Sequence, residues 1–116
     1  MMIGKRELDG GVVVVEFAAE TALDASTGEA LREALTAVGN DYASVIVDFG
    51  AVSFLDSSAL GAFVALLRRL KQKDGVLRLA ALRPGVRMIF EVTRLDRVFA
   101  TAASVDEALV SLGVAA

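Results

Sequence analysis

Residues 45–63 read VIVDFGAVSFLDSSALGAF. The stretch begins inside SVIVDF, 44–49, a short and nearly continuous apolar run. Such a run suits a strand buried on both faces, in a sheet with helical cover. Further on the apolar spacing becomes helical, with Leu60, Phe63, Val64, Leu67 and Leu70 on one stripe. Between strand and helix stand an acid and two hydroxyls, Asp56-Ser57-Ser58. One reading is a helix cap, since Ser or Asp at a helix start accepts a bond from an unpaired backbone N–H. The other is a control point.

The rest of the chain extends the alternation. Residues 3–8 and 12–18 flank Asp9-Gly10-Gly11, a hairpin signal. A helix is predicted over STGEALREALTAVG, 26–39. Ser26 and Glu29 stand at capping-box spacing, Leu31, Leu35 and Val38 share one face, and Gly39 marks the stop. Asp74-Gly75 ends the helix that begins near Ser57, and VLRLAAL, 76–82, is the next strand. Pro84 suits the first position of a third helix whose face holds Val86, Ile89, Phe90 and Thr93. RVFAT, 97–101, reads as a last strand, and Ser104 and Glu107 open a closing helix. The order β-β-α-β-α-β-α-β-α predicts an α/β domain spanning 1–116, with a mixed sheet of about five strands covered by about four helices.

Composition narrows the function. The chain has 116 residues, no Cys and no His. Disulfides, Cys or His metal sites and the usual general base near neutral pH are therefore excluded. The net charge of −3 argues against a sequence-independent grip on nucleic acid. The one basic cluster, RRLKQK at 68–73, falls where a helix ends and suits its dipole. The N-terminus MMIGKREL has no signal-peptide core, and the longest apolar run, 59–67, is far short of a membrane span. A soluble, cytoplasmic monomer is expected.

Catalysis finds no support in the sequence. Ser57 would need a base to act as a nucleophile, and neither a His nor a G-x-S-x-G elbow is present. No phosphate loop of the G-x-x-x-x-G-K form occurs, and the aspartates are dispersed, mostly at turns. The expectation is a binding protein with no metal and no cofactor.

The helix after Ser57 has one unusual feature. The face left free by its apolar stripe carries Ser58, Gly61, Ala62 and Ala65 instead of Glu, Lys or Gln. Gly inside a helix costs about 1 kcal/mol relative to Ala. Small residues there allow another backbone to approach closely, either a neighbouring segment of the same domain or a partner. A phosphate on a hydroxyl at the rim would add roughly −1.5 to −2 charges. The helix N-terminus tolerates that charge; an acidic partner docked over the patch does not.

The segment Val45–Phe63 closely resembles the signature of the STAS family, and within it the bacterial anti-sigma factor antagonists, whose turn reads D-S-[ST]-G-L-G. ALDASTGEALREAL, 22–35, resembles the family's helix entry with Asp24 at its acidic position. LRPGVRMIFEVTRLDRVF, 82–99, resembles the family's third helix and last strand, and the LGVAA ending is similar to the family's as well. Ala59 replaces a usual Gly, and Thr21-Ala22 stands where Gly plus a variable residue precedes Leu-Asp.

The resemblance implies a mixed sheet covered by helices and a protein that binds an anti-sigma factor which is also a serine kinase. Binding frees a sigma factor. By position the kinase modifies Ser57 and the modified form lets go, until a serine phosphatase restores it. Asp24, Asp56, Ser58, Gly61, Ala62 and Ala65 are the expected partner-binding residues. The alternative on the same fold is an unphosphorylated STAS subunit docked on a membrane transporter. The intact Asp56-Ser57 pair favours the first.

Overall fold

A computed structural model describes residues 3–114. Residues 1–2 and 115–116, which include the last letters of LGVAA, lie outside the described residues. The elements are β1 (Ile3–Leu8), β2 (Val12–Phe17), β3 (Thr21–Leu23), α1 (Gly28–Asp41), β4 (Ser44–Asp48), β5 (Val52–Leu55), α2 (Ser57–Gln72), β6 (Val76–Ala80), α3 (Pro84–Val92), a 3-10 turn (Leu95–Arg97), β7 (Ala100–Ala102) and α4 (Val105–Ser111).

The main sheet has five strands in the order β1-β2-β4-β6-β7. Only β1 is antiparallel to its neighbour; the other pairs are parallel and joined through helices. The hairpin closes through Gly10 and Gly11, both at positive φ, which explains the Gly-Gly there. The run Val12–Val15 is apolar at every position because β2 is covered on both faces. Val13 and Val15 join Val45, Val47, Leu77 and Leu79 under α1, α2 and α3. Val12 and Val14 join Ile46 and Ala80 under Ala108 and Leu109 of α4. The larger core is threaded by tilted and edge-on ring pairs, Phe17–Phe49, Phe49–Phe63, Phe49–Phe90 and Phe90–Phe99. Among the described residues no helix is long and apolar enough to cross a membrane.

Several elements depart from the sequence expectation. β3 and β5 form a second, two-stranded sheet that no sequence pattern predicts. α1 does not stop at Gly39 but runs to Asp41. A Cβ on Gly39 would lie 2.8 Å from Arg69 Cδ and 3.1 Å from Leu66 Cδ1, so this glycine serves the close approach of α1 to α2. The last strand starts at Ala100, because Arg94 at φ 63° turns the chain into the 3-10 segment first. Val64 is only partly buried, while Ala59, Ala62 and Leu66 widen the buried side of α2. The expected helix starts at Pro84 and at Ser104, whose Oγ accepts from Glu107 N–H at 3.1 Å, are present.

Candidate functional site

The small sheet builds the site. β3 and β5 pair in parallel with Leu23 opposite Leu55, and Asp56 N–H donates to Leu23 C=O at 3.0 Å. Asp24 and Asp56, the next residues on each strand, therefore leave the sheet side by side. Each then makes a tight Asp-x-Ser turn.

Asp56 is the N-cap of α2, with extended backbone, φ −109° and ψ −175°. Its Oδ1 accepts from Ser58 N–H at 3.0 Å, Ser58 Oγ–H at 2.7 Å and Ala59 N–H at 3.1 Å. The Ser58 hydroxyl, foremost, and the Ala59 N–H hold the Asp56 carboxyl below the usual carboxylate range. A carboxylate engaged in this way is a weak base. Ser57 comes next as the first helical residue. It is exposed, and among the described residues its hydroxyl has no hydrogen-bond partner. The cap thus belongs to Asp56, with Ser58 as its return contact, and Ser57 is spare.

The Asp24 turn uses the same bonds without a helix. Asp24 Oδ1 accepts from Ser26 N–H at 3.0 Å and Ser26 Oγ–H at 2.6 Å, while Asp24 N–H donates to Thr27 Oγ1 at 3.0 Å. The capping box expected of Ser26 and Glu29 does not form. α1 begins two residues later, at Gly28, and Thr27 is its N-cap without a side-chain cap bond. Gly28 brings the start of α1 against α2: its Cβ would stand 3.7 Å from Ser58 Oγ.

The small-residue face divides. Ser57, Gly61 and Ala65 are exposed at four-residue spacing, and a Cβ on Gly61 would meet nothing within 4 Å. Ser58 is half-buried. Ala62 is not part of an open docking surface: at 5 % exposure it packs in the core on the α1 side of α2. The same-domain reading therefore holds for Ala62, and the open surface is the stripe Ser57–Gly61–Ala65. Ala59, in the family's usual glycine position, is fully buried within the helix.

Sequence reasoning missed one contributor. Arg83 donates to Gly50 C=O from Nε at 2.9 Å and to Glu20 Oε1 from Nη2 at 2.9 Å. This holds together the loops that lead into β3 and β5. The side-chain hydrogen bond and charge of Arg83 keep the Glu20 carboxyl below its ordinary range. Glu20 sits at φ 55°, unusual for a residue with a side chain. A separation of 63 positions between the two charges left no local signal.

The chain matches the STAS domain over residues 5–108 and belongs to that family. It is 35 % identical over 74 residues to the anti-sigma-B factor antagonist of Staphylococcus aureus, spanning 63 % of this chain and 68 % of that one. An anti-sigma factor antagonist from Mycobacterium paratuberculosis has a similar structure, with TM-score 0.86, 29 % identity and coverage of 97 % and 93 %. The fold also recurs in a sulfate transporter family protein of Wolinella succinogenes, with TM-score 0.77, 13 % identity and coverage of 93 % and 89 %.

Proposed function

We propose that this STAS-family chain is an anti-sigma factor antagonist working by partner switching. It binds an anti-sigma factor that is also a serine kinase and so releases a sigma factor. Phosphorylation of Ser57 ends the binding, and a serine phosphatase reverses it. The observation that carries the reading is the division of labour at the turn. Asp56 and Ser58 supply the cap, so Ser57 is free for modification at no cost to the fold. The relatives named as antagonists support the role. Asp24, beside Asp56 on the paired strand, and the stripe of Gly61 and Ala65 form the docking surface around it.

The transporter-subunit reading shares only the fold with its structural neighbour. It gives no role to an unpaired hydroxyl at a helix start. Titration calorimetry against the anti-sigma factor tests the proposal. Ser57→Ala should bind like the unmodified protein and never be released by ATP. Ser57→Asp should lose about tenfold or more in affinity, because a like charge in an interface costs several kcal/mol. Equal affinities for all three proteins would sink the switch.

A further inference from the structure

Four hydroxyls cluster where β3 and β5 end, and their environments are unequal. Ser26 Oγ–H donates to Asp24 at 2.6 Å, and Ser58 Oγ–H donates to Asp56 at 2.7 Å. Thr27 Oγ1 lies within bonding distance of two backbone carbonyls, Asp24 O at 3.1 Å and Ala22 O at 3.3 Å. Ser57 alone has no partner among the described residues. Ser57 and Ser58 are chemically identical neighbours, so a phosphoryl-transferring enzyme docked here must choose between them.

We propose that Asp56 makes that choice: it holds the Ser58 hydroxyl as a locked donor beneath the start of α1 and so confines phosphoryl transfer to Ser57. The inference rests on the switch reading above and adds its specificity determinant. In the transfer, the serine Oγ forms a bond to the γ-phosphorus of ATP. The bond from that phosphorus to the bridging oxygen of ADP breaks, and the hydroxyl proton passes to a base of the docked kinase. Ser57 can do this as it stands. Ser58 must first give up its bond to Asp56, and it is half-buried, with its Oγ 3.7 Å from where a Cβ on Gly28 would stand. Nor does Asp56 act as the missing base for Ser58. Its Oδ1 is already committed to two backbone N–H groups, of Ser58 and Ala59. A hydrogen bond to a charged group is strong enough to hold the disfavoured serine back about tenfold to a hundredfold.

The test uses the full chain, Mg-ATP and the anti-sigma factor kinase that binds the unmodified protein, with phosphopeptide mapping as the readout. Asp56→Gly removes the carboxylate while keeping helix capping nearly intact. The ratio of Ser58 to Ser57 phosphate within that one variant is independent of how well it docks, and it should rise at least about tenfold over the unmodified sequence. Asp56→Asn keeps an accepting oxygen without the charge and should bring the ratio only part of the way back. Ser57→Ala with Asp56 intact should take phosphate on Ser58 at least about tenfold more slowly than the unmodified sequence takes it on Ser57. An unchanged ratio in Asp56→Gly, no phosphate on it at all, or phosphate on Ser58 of Ser57→Ala as fast as on Ser57 of the unmodified sequence overturns the lock. The last result does so while the switch reading stands, provided the unmodified sequence still takes its phosphate on Ser57. No phosphate on the unmodified protein overturns the switch reading itself, and the lock with it.

Discussion

The turns at Asp24-Ala25-Ser26 and Asp56-Ser57-Ser58 are built alike. In each, one carboxylate oxygen accepts both the N–H and the hydroxyl of the serine two residues on. They differ in the element each one leads into and in the residue at the middle. The Asp56 turn runs straight into a sixteen-residue helix and gains a third bond from Ala59; the Asp24 turn leads to Thr27 and a helix capped without a side chain. The middle residue is Ala25 in one and Ser57 in the other, both exposed. The same local chemistry therefore serves two ends. Placed at a helix start with a hydroxyl in the middle, it presents that hydroxyl. Placed in a loop with a methyl in the middle, it only shapes the surface.

The largest expected effect comes from putting charge in the two middle positions. Ser57→Asp should weaken anti-sigma factor binding about tenfold or more, and the true phosphoserine further, as its charge is greater. Ala25→Asp should cost less than about threefold, within the range of an exposed charge pair. The exposed stripe of α2 starts at Ser57 and does not include Ala25. Equal losses by calorimetry would mean that the partner covers both turns uniformly, and the comparison would collapse.

Removing the carboxylates should separate the turns next. Asp56→Ala deprives α2 of its cap, and the thermal midpoint should fall by on the order of 5 °C. Asp24→Ala unties only a surface turn and should lower it by less than about half as much. A reversed order in paired melts would make the Asp24 turn the structural one. Asp24→Asn sharpens this further. Asn keeps an accepting oxygen for Ser26, so the melt should hardly move, while partner binding weakens about twofold to fivefold. If stability and binding fall together, Asp24 belongs to the fold and not to the interface.

How much of this is legible in the sequence depends on burial. The central strands β2 and β4 of the main sheet announce themselves because cover on both faces demands runs such as VVVV and VIV. β3 and β5 are three and four residues long, and β5 carries the exposed Ser53 and Phe54, so neither alternation nor an apolar run marks them. Without them Asp24 and Asp56 look like two separate helix entries, and only the family resemblance joins them. Ala62 and Gly39 mislead for a related reason. A small residue carries no signal of its own surroundings, and both serve the approach of α1 to α2. The Arg83 clamp is a contact between loops far apart in sequence, which no local pattern encodes.

The smallest expected effect is the most specific to one turn, and it concerns acid. The folded protein holds the Asp56 carboxyl below its ordinary range, mainly through the Ser58 hydroxyl and the Ala59 N–H. A depressed folded value means the charged form favours folding. That contribution is complete above the unfolded value near about 3.9 and is lost as pH falls through the lower folded one. Asn at the same position caps nearly as well but carries no charge to lose. The stability gap between the natural protein and Asp56→Asn should therefore be small at about pH 7, favour the natural protein, and close as the pH drops below about 4. Urea unfolding of both proteins at several pH values measures the gap directly. A gap that stays constant from neutral pH into acid would mean that Asp56 caps α2 by geometry alone. The lock on Ser58 would then have to be explained by the shape of the turn, without help from the charge of its carboxylate.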